Sequence, residues 1–567
     1  MGSILGNEAV KRAIQQIAVR TEREDPQEAV VSFYDCNIIT HLTNFNDQII
    51  QGRRGTGKTH ILLALKNKLE NENCHCIYFD CKVTGSAAEI ADSSLPEKHR
   101  VVHLMRDFLY YLYADLQKYY DEKIKQDIDA RLIDIELLLK QLLNECHSTG
   151  QITKEYEKHT NTRQKDTKAV NDTIKMPPLN PFTTEINYTE DRQQEQESCV
   201  AHNTSGISYG KIVFPNVNQC LVQLAKLTDK NFIILIDEWS NLPLDIQPHF
   251  AEFLKCCFMG SRRITLKIAV VKGRTQYCIR NNNHVYGFEV GAEISVAMDL
   301  DDIYMYDKNP EKVIKHLYQI LLTHLKAKGV MENMDVDYFK QTLFKDYRSS
   351  ILLVRASEGN PRDFISIVNN CIIEIEGIDR NYGSDNQDNW INSKIIFDAA
   401  TAWYQNDKES ALSLSQKQLL SEIIHYVVQQ NHTRGFVIDE AYLHHEGIKG
   451  LIDARVLHVM KTGAYFPNLS KYTMAILVLD FGTYANFLRT NRNIHFLTND
   501  VCETEVFSQF PQSQYDNRLY PYDESRKFQM CLLDPKLEPN ICPSFHKTKK
   551  QSKFPGFFPR IRKLLNL

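Results

Sequence analysis

No run of about 18 apolar residues occurs anywhere in the chain, so nothing in it reads as a transmembrane helix. The first residues show no charged-then-apolar leader pattern, and Gly6 stands where an N-myristoylation signal needs serine or threonine. These absences lead us to expect a cytoplasmic protein. A surplus of charge is missing too. With 67 Lys and Arg against 71 Asp and Glu the net charge is -4, so any nucleic-acid contact must come from a local patch. Cysteines at metal-binding spacing are also lacking. The 14 cysteines scatter from Cys36 to Cys542, and neither Cys74-His-Cys76 nor Cys256-Cys257 has a second pair at zinc spacing. Both groups therefore read as reduced core thiols. No internal repeat is present, which argues against a solenoid. What remains is an ordinary soluble composition, 43% hydrophobic and 24% charged, in 567 residues, enough for more than one domain.

One stretch organises the rest. Gln51-Gly-Arg-Arg-Gly-Thr-Gly-Lys-Thr-His60 fits the phosphate-binding loop G-x-x-x-x-G-K-[ST] at every fixed position: Gly52, Gly57, Lys58 and Thr59. Glycines let successive backbone N–H groups turn inward on phosphate oxygens, while Lys58 reaches the β- and γ-phosphates and the Thr59 hydroxyl takes Mg²⁺. The nucleotide-contacting set is Gly52, Arg53, Arg54, Gly55, Thr56, Gly57, Lys58, Thr59 and His60. Asn46–Gln51 reads as the strand feeding the loop, and Thr59–Leu69 as the helix leaving it, with Ile61, Leu62, Leu65 and Leu69 on one face. A merely glycine-rich turn would lack that strand–loop–helix order.

Two further signatures follow. Asn231-Phe-Ile-Ile-Leu-Ile-Asp-Glu238 is a short apolar run ending in two acids, as expected of a buried parallel strand that delivers Asp237 and Glu238 to its C-terminal edge. Asp237 would share the Mg²⁺ with Thr59, and Glu238 would polarise an attacking water. The plainer alternative is a solvated acidic turn. In Glu358-Gly-Asn-Pro-Arg-Asp363, Pro361 presets a helix start and places Arg362 in the first turn, from which its fork could reach a γ-phosphate. A surface arginine beside a helix cap is the competing reading.

The intervening chain alternates helix and strand patterns. Helices are expected over 96–143, Asn216–Leu227, Ile246–Cys257 and Val313–Leu325, and strands over His75–Asp80, Ser261–Val271 and Glu293–Leu300. Ser148–Ser205 is polar, carries Pro177-Pro178 and reads as an insertion or loosely packed excursion, which costs the core nothing if its two ends lie close together. Between Leu412 and Leu479 three helices (Gln416–Gln430, Asp439–His445, Glu446–His458) precede two strands within Ala464–Leu479, the order of a winged helix. Its third helix would bring Lys449 and Arg455 to a DNA groove, and Lys471 on the wing would touch phosphate; a protein partner remains the alternative. Past Glu538 no acid occurs, and seven lysines and arginines interleave with Phe554, Phe557 and Phe558, which suits an anionic polymer or surface.

Gly-Arg-Arg-Gly-Thr-Gly-Lys-Thr, Ile-Leu-Ile-Asp-Glu-Trp, Gly-Asn-Pro-Arg and the following helices together resemble the AAA+ ATPases of the origin-recognition and replication-initiator group, in its bacterial members. The resemblance covers about Phe33 to Phe487. It implies an α/β fold, a parallel sheet flanked by helices, with a helical lid carrying Arg362 and a C-terminal winged helix. It also implies ATP and Mg²⁺ as cofactors, ATP rather than GTP because no Asn-Lys-x-Asp guanine motif occurs. Lys58, Asp237, Glu238 and Arg362 are then the catalytic set. Such ATPases assemble so that a neighbour's arginine completes the site, here Arg274 or Arg280, with Arg262 and Arg263 as further candidates. The γ-phosphate sensor position offers Lys272, Arg274 or Thr275 and no asparagine. The expected division is 1–305 for the nucleotide-binding domain, 306–408 for the lid, 409–490 for the winged helix and 491–567 for a basic extension. An ATP-driven switch or DNA-coupled motor is the leading function, with genome maintenance or anti-phage defence as settings. A slow-turnover oligomerisation scaffold and a DNA-binding module with a structural ATP site are the alternatives.

Overall fold

The apolar run before Asp237 forms a strand buried along nearly its whole length, as a central strand covered on both faces must be. It belongs to a five-stranded sheet made of β1 (Gln48–Gly52), β2 (Cys74–Asp80), β3 (Asn231–Asp237), β4 (Ile264–Val271) and β5 (Ser295–Asp299), in the order β2-β3-β4-β1-β5. β2 and β3 pair in parallel with Asp80 opposite Asp237, and β3 and β4 pair in parallel with Ile236 opposite Ile268. Cys74 and Cys76 lie buried in β2 as free thiols, as expected of core residues.

The computed structural model describes residues 3–18, 25–124, 131–147, 149–153, 206–210, 212–281, 284–306, 310–382, 389–430, 434–464 and 474–490. They divide into two compact units, one of Met1–Cys36, Gly52–Leu63 and Asp299–Leu567, the other of Asn37–Gln51 and Ala64–Met298. No described helix is long and apolar enough to cross a membrane.

The sheet unit packs the helices Glu97–Ile124, Arg131–His147, Phe214–Thr228 and Gln247–Phe258 around an aromatic centre. Phe108 meets Phe79, Phe250 and Phe258 edge-on at 4.9, 5.6 and 5.5 Å, and Trp239 stacks on Phe250 at 5.5 Å. The offset and T-shaped contacts match the ring quadrupoles and add to the area buried. β1 is anchored at its start by Lys267, fully buried, whose ammonium donates to the carbonyls of Asn44 and Asn46 and to Gln48. Burial pushes that ammonium down to about 7. The ends of the expected insertion do meet: Thr149–Thr153 pairs antiparallel with Gly206–Gly210, and the residues between lie outside those described.

The other unit carries a helical array, Pro310–Ala327, Val336–Leu343, Tyr347–Ala356, Pro361–Tyr382 and Ser393–Trp403, with a core that includes Leu317, Tyr318, Phe364 and Ile396. Its C-terminal part differs from expectation in two places. A strand, Gly435–Asp439, intervenes between the helix Leu414–Ile424, which continues as the π-helix His425–Gln430, and the 3-10 turn Glu440–His444. The third helix, Glu446–Asp453, stops short of His458, and its following strand is Leu457–Ala464 rather than one inside 464–479. The reason is a helix stop without glycine. Arg455 takes a left-handed φ of 60°, its N–H reaches the Ile452 carbonyl at 3.0 Å, and the Val456 N–H reaches Leu451 at 2.9 Å. That double closure normally uses glycine, so the sequence carries no stop signal. The three strands form an antiparallel sheet with Met474–Leu479 in the middle. Lys471 and the basic tail lie outside the described residues.

Candidate nucleotide site

The loop is shaped by two left-handed glycines, Gly55 at φ 86° and Gly57 at φ 85°. A Cβ on Gly52 would come within 2.8 Å of Thr56 Oγ1 and 2.9 Å of Leu300 Cβ, whereas one on Gly57 would meet nothing within 4 Å. The loop is therefore packed from behind and open above Gly57. Lys58 opens the helix Lys58–Glu70, and its buried ammonium donates to the Gly52 carbonyl at 3.1 Å and the Arg53 carbonyl at 2.8 Å. Thr56 donates to the same Arg53 carbonyl at 2.9 Å. An ammonium curled over its own loop, beside backbone N–H groups at a helix start, fits a triphosphate. Thr59 is half-buried one position on. His60 contacts the Ala29 carbonyl and packs edge-on against Phe33 at 5.1 Å; burial lowers its pKa.

The Gly-Asn-Pro-Arg segment lies directly against this loop. Asn360 donates to the Arg54 carbonyl at 2.7 Å, and the Arg362 N–H reaches the Gly55 carbonyl at 3.3 Å. The Asn360 side chain also caps the helix Pro361–Tyr382 through the Arg362 N–H at 3.0 Å. Gly359 has φ 72°, and a Cβ there would stand 1.7 Å from the Tyr304 carbonyl oxygen, so only glycine fits. The Arg362 guanidinium lies 3.9 Å from Asp407.

In the sheet unit, Asp237 ends β3 with 1% exposure and both carboxylate oxygens engaged: Tyr78 donates to one at 2.8 Å and the Glu238 N–H to the other at 2.8 Å. Glu238 is half-buried, sits at φ 52°, and accepts from Asn241 at 2.7 Å. A left-handed glutamate at the end of a strand costs on the order of 1 kcal/mol, a strain of the sort found at functional sites. Among the described residues no group of three His, Cys, Asp or Glu side chains could hold a metal ion by itself. Thr59 and Asp237, the expected Mg²⁺ contacts, are a hydroxyl and a carboxylate, the hard oxygen donors that the ion takes alongside water and phosphate.

A glycine loop between β1 and its helix, an acidic pair ending β3 and a helical array bearing Gly-Asn-Pro-Arg leave one reading of the architecture. This is an α/β P-loop fold, a parallel sheet flanked by helices. No family model matches the chain, and no curated protein matches it. Among solved structures it is similar to Cdc6p from Pyrobaculum aerophilum, at 11% identity and a TM-score of 0.27 over 84% of this chain and 97% of that one. It is also similar to a single-substitution variant of Thermotoga maritima RuvB, at 13% identity and a TM-score of 0.23 over 48% of this chain and 84% of that one. These likenesses are slight, and it is the chain's own strand order and loop geometry that mark the P-loop fold.

Arg280 is 72% exposed and 3.7 Å from Glu289, Arg262 is exposed, and Arg263 pairs with Asp229 at 3.1 Å. Lys272, Arg274 and Thr275 lie in the segment after β4, where the Arg274 carbonyl accepts from Gln247 at 3.2 Å. Of the groove contacts expected of the third helix, Lys449 is half-buried on it, while Arg455 is withdrawn into ion pairs with Asp363, at 2.8 Å, and Asp407. Arg455 is thus not a DNA-facing residue. Tyr78, Asn241, Asn360, Asp301 and His458 escape a reading of the sequence as site residues. Tyr78 stands two residues before Asp80, the register partner of Asp237, and so faces the same side of the sheet, a placement that only the strand register reveals.

Proposed function

We propose that the protein is a Mg²⁺-dependent ATPase that works as a nucleotide-driven switch or motor subunit. The observation that carries this reading is the phosphate loop, with left-handed glycines, open space above Gly57 and Lys58 held over it. When bound, ATP and Mg²⁺ would supply the transferable phosphoryl group and the counter-charge. Lys58 would leave the Gly52 and Arg53 carbonyls for phosphate oxygens. Thr59 and Asp237 would offer oxygen ligands, Tyr78 would hold Asp237 in orientation, and Glu238 would accept a proton from water. Arg362 would turn from Asp407 toward charge, and a neighbouring subunit's arginine is proposed to complete the site, with Arg280, which is 72% exposed, as a candidate.

The chain would divide into a nucleotide-binding domain over 1–305, a lid over 306–408, a winged helix over 409–490 and an extension over 491–567. The order helix, strand, turn, helix, strand, strand supports the winged helix. DNA coupling, in genome maintenance or anti-phage defence, would run through this winged helix; with Arg455 withdrawn into ion pairs, a protein partner is the second reading.

The test is ATP hydrolysis by the purified chain and by Lys58→Ala, each with and without duplex DNA. Turnover that requires Lys58 supports the ATPase, and stimulation by DNA supports the DNA-coupled form. Glu238→Gln is expected to retain ATP with turnover cut at least about a hundredfold, the scale of general-base loss. Hydrolysis by that variant at the wild-type rate would remove Glu238 from its role.

A further inference from the structure

Arg53, at a position the loop motif leaves open, is tethered at three points. Its Nε donates to Asp301 at 2.8 Å, one terminal nitrogen to the Glu358 carbonyl at 3.1 Å, and the other contacts His458 Nδ1 at 3.1 Å. His458 comes from the strand Leu457–Ala464 of the C-terminal sheet, 405 residues along the chain. A guanidinium can only donate, so His458 Nδ1 accepts, and its Nε2–H must donate to Asp480, 3.1 Å away. Asp480 takes Lys408 at 2.6 Å; Lys408 also pairs with Asp363 at 2.9 Å; and Asp363 takes Arg455 at 2.8 Å. Glu358, whose carbonyl holds Arg53, pairs with Arg434 at 2.5 Å. Asp301, Glu358, Lys408, Arg434, His458 and Asp480 are all buried to 3% exposure or less.

The same Arg53 carbonyl that anchors Lys58 and Thr56 belongs to the residue whose side chain is locked by the C-terminal sheet. Lys58 must give up that carbonyl to meet a phosphate. We propose that Arg53 and His458 form a joint through which the C-terminal domain presets the phosphate loop, so that His458 is a positioning residue for nucleoside-triphosphate binding. This rests on the ATP reading of the loop and adds to it a second domain. The energy is reciprocal: whatever the joint contributes to nucleotide affinity, nucleotide returns to the docking of the C-terminal sheet.

The experiment measures binding of a fluorescent ATP analogue, with Mg²⁺, to the full chain and to Arg53→Gln, His458→Leu, the double variant and His458→Asn, with thermal unfolding run on each to confirm folding. Arg53→Gln and His458→Leu should each weaken binding about tenfold, within the range of site-to-site coupling. The double variant should be no weaker than either, because the two side chains act as one. His458→Asn, which keeps an acceptor near the Nδ1 position, should recover most of the affinity; a merely structural role would not show that recovery. If His458→Leu unfolds, Arg53→Gln and His458→Asn still decide the matter. Wild-type affinity in folded variants, or full additivity in the double variant, overturns the joint while leaving the ATP reading intact. No binding by the wild-type chain overturns both.

Discussion

The two units are stabilised in opposite ways. The sheet unit has an apolar interior of packed rings, with Phe79, Phe108, Phe250, Phe253 and Trp239 buried to within 2% exposure. The unit carrying the phosphate loop also has an apolar core, yet it buries Asp363, Asp480, Glu358, Lys408, Arg434 and Arg455 in ion pairs. Burial alone would raise the Asp363 carboxyl, but Arg455 and Lys408 beside it outweigh that and hold it well below the usual carboxylate range. Asp480 is likewise lowered against burial by Lys408 and His458. Rings tolerate small shifts, because dispersion and area burial vary smoothly with distance. A buried charge network does not, since each charge is stable there only while its partner is in place. A displacement is therefore costliest in the unit that holds the charge network.

The sharpest way to break this contrast is to remove one network member. Lys408→Met should destabilise the loop-bearing unit by roughly 3–5 kcal/mol, because Asp363 and Asp480 lose a shared partner. Hydrogen exchange should locate the loss in that unit; an unchanged exchange pattern would show the network to be energetically idle. Phe250→Ala should cost a similar amount, about 3–5 kcal/mol, but in the sheet unit and with nucleotide affinity less affected.

Acid should discriminate next. Burial lowers the pKa of His60, His316, His324 and His458, His324 down to about 3. Below the ordinary histidine value near 6.5 the unfolded chain takes up protons that these folded imidazoles refuse, so stability falls as pH falls. The slope is at most about 1.4 kcal/mol per pH unit for each. The depressed carboxylates Asp363 and Asp480 add their loss only at lower pH. Between pH 7 and 5, denaturant midpoints of the loop-bearing unit should therefore drop, and a flat profile would contradict neutral burial of these rings. The smallest effect is expected at Arg280→Ala. At 72% exposure and 3.7 Å from Glu289 its pair is worth roughly 0–1 kcal/mol, so the melting curve should barely move. A loss of ATPase activity with unchanged melting would then single it out as the intersubunit arginine.

Much of the sheet and of the phosphate loop is legible in the sequence. β3 and the phosphate-loop helix fall within one or two residues of their expected bounds, because an unbroken apolar run and a one-faced helix stripe are local signals. The C-terminal region is less legible. The helix Glu446–Asp453 ends on a left-handed arginine where a glycine would have announced the stop, and Gly435–Asp439 is too short to stand out from flanking helices. For the site, spacing names Gly52, Lys58 and Asp237, whereas nothing local marks Tyr78, Asn360 or Asp301 as their partners.

What the linear chain determined was the set of groups whose neighbours are adjacent in sequence: the glycine loop, the acidic end of β3 and the capped start of the Pro361 helix. Partner choice among charges lay beyond it. Arg53 sits 248 residues from Asp301 and 405 from His458, and an arginine's sequence context carries no record of which distant acceptor it will meet. Tertiary structure made that choice, because in a buried setting only an arrangement that satisfies donors and acceptors together avoids the desolvation cost of leaving one unpaired.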